Sequence, residues 1–232
     1  MITLKLAGLA IGVEARYKYL PWLAKDFLTD DEPIFTVCAT DEDIALERET
    51  SEEEFTPGYL EAIVVYRKIA DRLPKYDAFV FHGAVLGYDG GAYLFTAKSG
   101  TGKTTHTGLW ISEIGGDVHY LNGDKPIIRF IDGEPIVFGT PYKGKEGYGI
   151  NESLPLRSIA FLSRAEKNSA YTVSADKIDT FLATQVYMPR DPFAAISTLK
   201  LIDRLQSSVR LVALECNMDP EAAHVAFKEM TK

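Results

Sequence analysis

Ala97-Lys98-Ser99-Gly100-Thr101-Gly102-Lys103-Thr104-Thr105 is the stretch on which the reading of this chain turns. Glycine adopts the positive φ that a tight curl needs, so Gly100 and Gly102 allow successive backbone N–H groups to turn inward around an anion. The apolar run Ala92 to Thr96 leads in and reads as a strand. A helix is expected from Lys103 to about Ile114, closed by Gly115-Gly116. Its positive N-terminal end adds to the pull on an anion. Lys103 is placed to charge-neutralise β- and γ-phosphates, and the Thr104 hydroxyl to ligate Mg²⁺. Ser99 to Thr105 therefore form a candidate nucleoside triphosphate site, with ATP and Mg²⁺ as the expected ligands. Alanine stands at Ala97, where the phosphate-loop pattern has its first glycine.

Working outward, Ala78 to Leu86 is an apolar run read as one strand, and Asp89-Gly90-Gly91 is a turn that returns the chain into Ala92–Thr96. The loop is thus entered from an antiparallel hairpin. A second hairpin is expected from Ile127–Ile131 and Pro135–Phe138 across Asp132-Gly133. Further strands are read at Val118–Leu121, Arg157–Leu162 and Val209–Leu214. Helices are read around Lys177–Tyr187 and Pro192–Gln206, with a last one after Asp219. Before the loop, Leu6–Val13 and Ile34–Ala39 read as strands, and a helix runs from near Pro57 to before Pro74. The expected fold is α/β, with a mixed, partly antiparallel sheet flanked by helices. Residues 1–232 are read as one domain, with 1–75 as an N-terminal α/β subdomain packed on it, because no linker separates them.

Composition narrows the class. The 232 residues carry a net charge of −8 with no basic stripe, which argues against nucleic acid as a partner. Cys38 and Cys216 lie in apolar surroundings with no CxxC pair, as reduced core thiols do. Leu6–Val13 is too short to span a membrane and has no cleavage pattern, so a cytoplasmic protein without membrane contact is expected.

Other candidate residues surround the loop. Asp124 follows a short strand and is placed to orient an acceptor hydroxyl or to hold Mg²⁺. His82, before the hairpin, titrates near neutral pH and could move a proton. Lys143 and Lys145 lie in the glycine-rich segment 139–152, which reads as a mobile loop able to bring a cation to transferred phosphate. Lys125 and Arg190 are further cations that could reach phosphate or substrate.

The stretch from His82-Gly83 through Lys103 resembles the HPr kinase/phosphorylase and phosphoenolpyruvate carboxykinase group, and Ser99–Thr105 is similar to the ATP-dependent carboxykinase loop. The resemblance covers about Phe79 to Arg129. It implies a phosphate-loop domain of that type and an ATP- and Mg²⁺-dependent kinase. The acceptor would be a hydroxyl, a serine of a peptide or protein or a small molecule, and oligomers occur among such kinases. In both families an aspartate pair follows the next strand; Asp124 matches the first member, but Lys125 stands at the second. That departure keeps an alternative open: a catalytically weak, nucleotide-gated module that binds a peptide or protein. A plain hydrolase is a third reading, without an evident arginine finger.

Overall fold

The computed structural model describes residues 1–51 and 53–232. It opens with a hairpin, β1 (Ile2–Leu6) and β2 (Leu9–Glu14), where a single strand over Leu6–Val13 was expected. The two-residue turn is Ala7-Gly8, with φ of 52° and 73°. An L-residue with a Cβ resists positive φ by about 1–2 kcal/mol, so Ala7 carries no turn signal in the sequence. Next come α1 (Tyr19–Leu23), β3 (Phe35–Cys38), α2 (Asp41–Thr50) and α3 (Pro57–Ala70). β3 joins β2 in parallel, giving a small sheet in the order β1-β2-β3. Thr56 caps α3, and Pro57 sits in its first turn, where a missing N–H costs nothing. The buried Glu61 carboxylate of α3 accepts the N–H groups of Arg16 and Tyr17 at 2.6 and 3.1 Å, tying the chain after β2 to the helix.

The second sheet has nine strands: β4 (Ala78–Val80), β5 (Ala84–Tyr88), β6 (Gly91–Thr96), β7 (His119–Asn122), β8 (Ile127–Ile131), β9 (Glu134–Phe138), β10 (Ser153–Arg164), β11 (Ser169–Thr172) and β12 (Arg210–Cys216). Its helices are α4 (Lys103–Glu113), α5 (Asp179–Gln185), α6 (Pro192–Ser208) and α7 (Glu221–Met230). The main order is β4-β8-β9-β10-β6-β5-β7. The long strand β10 joins the parts: residues 153–155 pair antiparallel with β9, and later residues pair in parallel with β6 and with β12. The β5–β6 and β8–β9 turns, Asp89-Gly90 and Asp132-Gly133, have positive φ at both residues, as two-residue hairpins of this twist require. Ala78–Leu86 is not one strand. It breaks at Phe81-His82-Gly83, because β4 pairs with β8 while β5 pairs with β6 and β7.

Side chains alternate across the strands. Ile159 and Phe161 of β10 face Leu182 of α5 and Leu205 of α6, whereas Ala160 and Leu162 pack with Trp110 of α4 and Ala226 of α7. The result is an α/β architecture with a mixed sheet covered by helices on both faces. The first 75 residues share a core with the β4–β8 edge: Ile11, Leu20, Leu60 and Ile69 pack in one cluster with Ala78, Val80 and Ile127. Arg129 of β8 donates to the carbonyls of Ala7 and Tyr76 at 2.9 and 3.2 Å. Among the described residues no helix is long and apolar enough to cross a membrane.

Candidate active site

The loop leaves β6 at its carboxyl end and runs into α4. Gly100 and Gly102 have φ of 75° and 116°, and a Cβ at either would meet nothing within 4 Å. Glycine is there for its backbone conformation rather than for want of space. Ala97 is buried and packs in the α4-side core, which accounts for a methyl at the first position of the pattern. From outside, Arg164 at the end of β10 donates to the carbonyls of Gly100 and Thr101 at 2.5 and 3.0 Å. The Thr101 N–H and hydroxyl both donate back to the Lys98 carbonyl, at 3.2 and 2.7 Å.

Three candidate side chains meet beside the loop. The Lys103 Nζ is 3.4 Å from His82 Nε2, and that nitrogen is 3.4 Å from Asp124 Oδ1. The two contacts need opposite tautomers, since Nε2 must accept from the ammonium or donate to the carboxylate. The crossover between β4 and β5 fixes the histidine: its N–H donates to the Gln185 carbonyl at 2.7 Å, and the Gly83 N–H to the Asp124 carbonyl at 2.9 Å. A Cβ on Gly83 would lie 2.9 Å from the Phe95 carbonyl oxygen, so glycine is required for the strands to approach. Burial, reinforced by Lys125 and Lys103, brings the His82 pKa down to about 4 against the pull of Asp124. The imidazole is therefore neutral at pH 7. Burial also lowers the Lys103 pKa, opposed by Asp124.

Asp124 sits on a turn built by Asn122. The fully buried Asn122 Oδ1 accepts the N–H groups of Asp124 and Lys125 at 2.9 and 2.8 Å, and its amide donates to Thr140. The Lys125 carbonyl accepts the Tyr66 hydroxyl at 2.7 Å and the Thr140 hydroxyl at 2.9 Å. These partners come from α3 and from the chain after β9, far away in sequence.

Segment 139–152 is pinned rather than free, contrary to the expectation of a mobile loop. The Gly139 N–H donates to the Glu152 carbonyl, Ile150 to Leu121, and Gly123 to Tyr148, all at 2.8–3.1 Å. Tyr142 stacks on Tyr66 at 3.7 Å and Tyr148 on Tyr120 at 4.2 Å. The tip, residues 144–148, is exposed, as are Ile150 and Asn151. Lys143 is half-buried against Gly149. Lys145 is 87% exposed and pairs with Glu53 at 3.1 Å. Glu146, which no motif in the sequence marks, lies 3.4 Å from the Thr104 hydroxyl and close to Asp124 across Gly144.

The loop, His82, Asp124, Lys125, Lys143, Lys145, Glu146 and Arg190 line one cleft of about 1350 Å³ between the loop, α3 and the chain after α5. Seven lysines and arginines line it, against two carboxylates among the described residues, Asp124 and Glu146. The cleft is cationic in a chain of net charge −8. Its α3 side carries Tyr59, Ile63 and Tyr66.

No family model matches the chain, and no curated protein matches it. Among solved structures, the HPr(Ser) kinase/phosphatase from Coxiella burnetii aligns over 55% of this chain and 97% of its own, at 13% identity and a TM-score of 0.29. That overlay is weak.

Proposed function

We propose that the protein is an ATP- and Mg²⁺-dependent kinase that transfers the γ-phosphoryl group to a hydroxyl of a peptide, protein or small molecule. The convergence of Lys103, His82 and Asp124 on the phosphate loop, within 3.4 Å contacts, carries this reading. The cleft exceeds the roughly 300–1,000 Å³ of a single small-ligand site, which suits two substrates side by side. Loop amides and Lys103 bind the phosphates, and their negative charge restores the basicity that burial takes from Lys103. The acceptor enters along α3, and its oxygen attacks the γ-phosphorus. As that bond forms, the bond to the β-phosphate oxygen breaks, and the hydroxyl proton passes to Asp124. Neutral His82 orients the Asp124 carboxylate without adding charge.

Thr104, Glu146 and Asp124 form a set of hard oxygen donors that suits Mg²⁺ completed by phosphates and water. When bound there, Mg²⁺ supplies charge neutralisation on the β- and γ-oxygens. Glu146 thereby brings from segment 139–152 the second carboxylate that Lys125 does not supply.

The test is transfer of label from γ-labelled MgATP into a pool of peptides and metabolites. Label on a hydroxyl compound is expected, with none for Lys103→Ala. Asp124→Asn, which keeps an oxygen donor for Mg²⁺, should bind MgATP within about tenfold of the parent yet transfer at least about a hundredfold more slowly. Parental transfer by Asp124→Asn would remove Asp124 from its role. Binding without transfer by the parent would favour the nucleotide-gated module, although segment 139–152, already held in place by backbone bonds, offers that reading little to order.

A further inference from the structure

A second hollow, of about 610 Å³, lies on the α5 side of the phosphate loop and shares Lys98 to Thr101 with the main cleft. The loop is thus a saddle, and its crest is the bare backbone at Gly100. The sheet register explains the hollow. Phe161 of β10 is level with Thr96, the last residue of β6, so β10 continues past the point where β6 ends. Ser163 and Arg164, the last residues of β10, therefore stand beside the loop at the carboxyl-end edge of the sheet, the edge where open α/β sheets receive ligands. The floor is apolar: Phe161 and Ile178 are buried, and Phe181 of α5 meets Phe161 edge to face at 5.9 Å. Arg164 binds the loop carbonyls through Nε and one terminal nitrogen, which fixes its plane and leaves its faces open to stacking.

Building on the phosphate-site reading above, we infer that this hollow is the nucleobase subsite, holding a purine between the Arg164 guanidinium and the Phe181 ring. None of the described side chains lining it is a carboxylate or a carboxamide. The base is held chiefly by stacking, since Ser99, Thr101, Ser163 and Lys98 are the polar residues beside Arg164 in the lining, and purines are accepted with little discrimination.

The test compares three probes with Mg²⁺ on the full-length protein: inorganic tripolyphosphate and non-hydrolysable analogues of ATP and GTP. Both analogues are expected to bind at least tenfold tighter than tripolyphosphate, and within tenfold of each other. Phe181→Ala should shrink that advantage to about threefold or less, with tripolyphosphate affinity unchanged. Phe181→Leu, which keeps the apolar packing and removes the π-face, should shrink it in the same direction if the alanine variant does not fold. An advantage that survives both substitutions, or is absent from the parent, overturns the subsite. So does a preference above a hundredfold between the two analogues. Failure of tripolyphosphate to bind the parent would instead sink the phosphate-loop reading, together with the subsite that rests on it.

Discussion

At the scale of single residues, two histidines have opposite prospects. His82 faces the cleft among charged neighbours, whereas His106 of α4 is fully enclosed, and neither ring nitrogen has a hydrogen-bond partner. Burial alone brings the His106 pKa down to about 4. The folded state then excludes a proton that the unfolded chain binds near pH 6.5. Stability from this group is present above about pH 6.5 and is lost as pH falls toward 4, by roughly 3 kcal/mol at most. His82 shifts in the same direction, but its side chain is 34% exposed and water screens part of the effect. His106→Leu, close in volume, should match the parent within about 1 kcal/mol at pH 7. The variant should then gain on the parent as pH falls from 6.5 to 4, as urea unfolding at several pH values would register. A constant difference across that range would mean that His106 becomes protonated in the fold. The buried Asn122 is the other sensitive residue. Asn122→Ala frees two N–H groups and should cost about 2–3 kcal/mol. Because the Asp124 turn loses its support, turnover should fall much more than MgATP affinity; equal losses in both would show that Asn122 acts only on stability.

At the scale of elements, the loop, α4 and both later hairpins could be read from the sequence, because each carries a local signal. Gly100 and Gly102 need positive φ, Asp-Gly pairs make two-residue turns, and α4 is closed by Gly115 and Gly116. The break at His82-Gly83 could not, since it follows from which strands pair on either side. Nor could the restraint on segment 139–152, whose glycines suggested mobility. Gly139 shows what holds it: an added Cβ would lie 1.9 Å from the Ile150 carbonyl oxygen and 2.8 Å from that of Leu121. Both obstacles are backbone and cannot rotate aside. Gly139→Ala should cost more than about 3 kcal/mol, measured by denaturant unfolding. A loss under 1 kcal/mol would mean that the segment is free to move away.

At the scale of the whole molecule, the first 75 residues and the nine-stranded sheet bury one cluster in common. They should therefore unfold together. The two tryptophans report on each part separately: Trp22 is exposed on α1, and Trp110 of α4 is buried. Trp22→Phe and Trp110→Phe leave one probe each, and their thermal transitions are expected to coincide within about 2 °C. Midpoints several degrees apart would make 1–75 an independent unit. The cationic cleft makes a further whole-molecule prediction: MgATP affinity should weaken as ionic strength rises, while inert salt leaves the fold intact.

By itself, the sequence determined the glycine-bearing turn at 97–105, the hairpin that feeds it, the α/β class and the acidic balance, because each depends on neighbouring residues or on composition. It also named Lys103, His82 and Asp124. Only the tertiary structure decided that these three meet within 3.4 Å contacts, that Glu146 stands beside Thr104, and that Arg164 grips the loop from outside. Those relations join residues 21 to 64 positions apart, or bring β10 alongside β6. Strand register and shared burial set them, and neither leaves a local pattern in the chain.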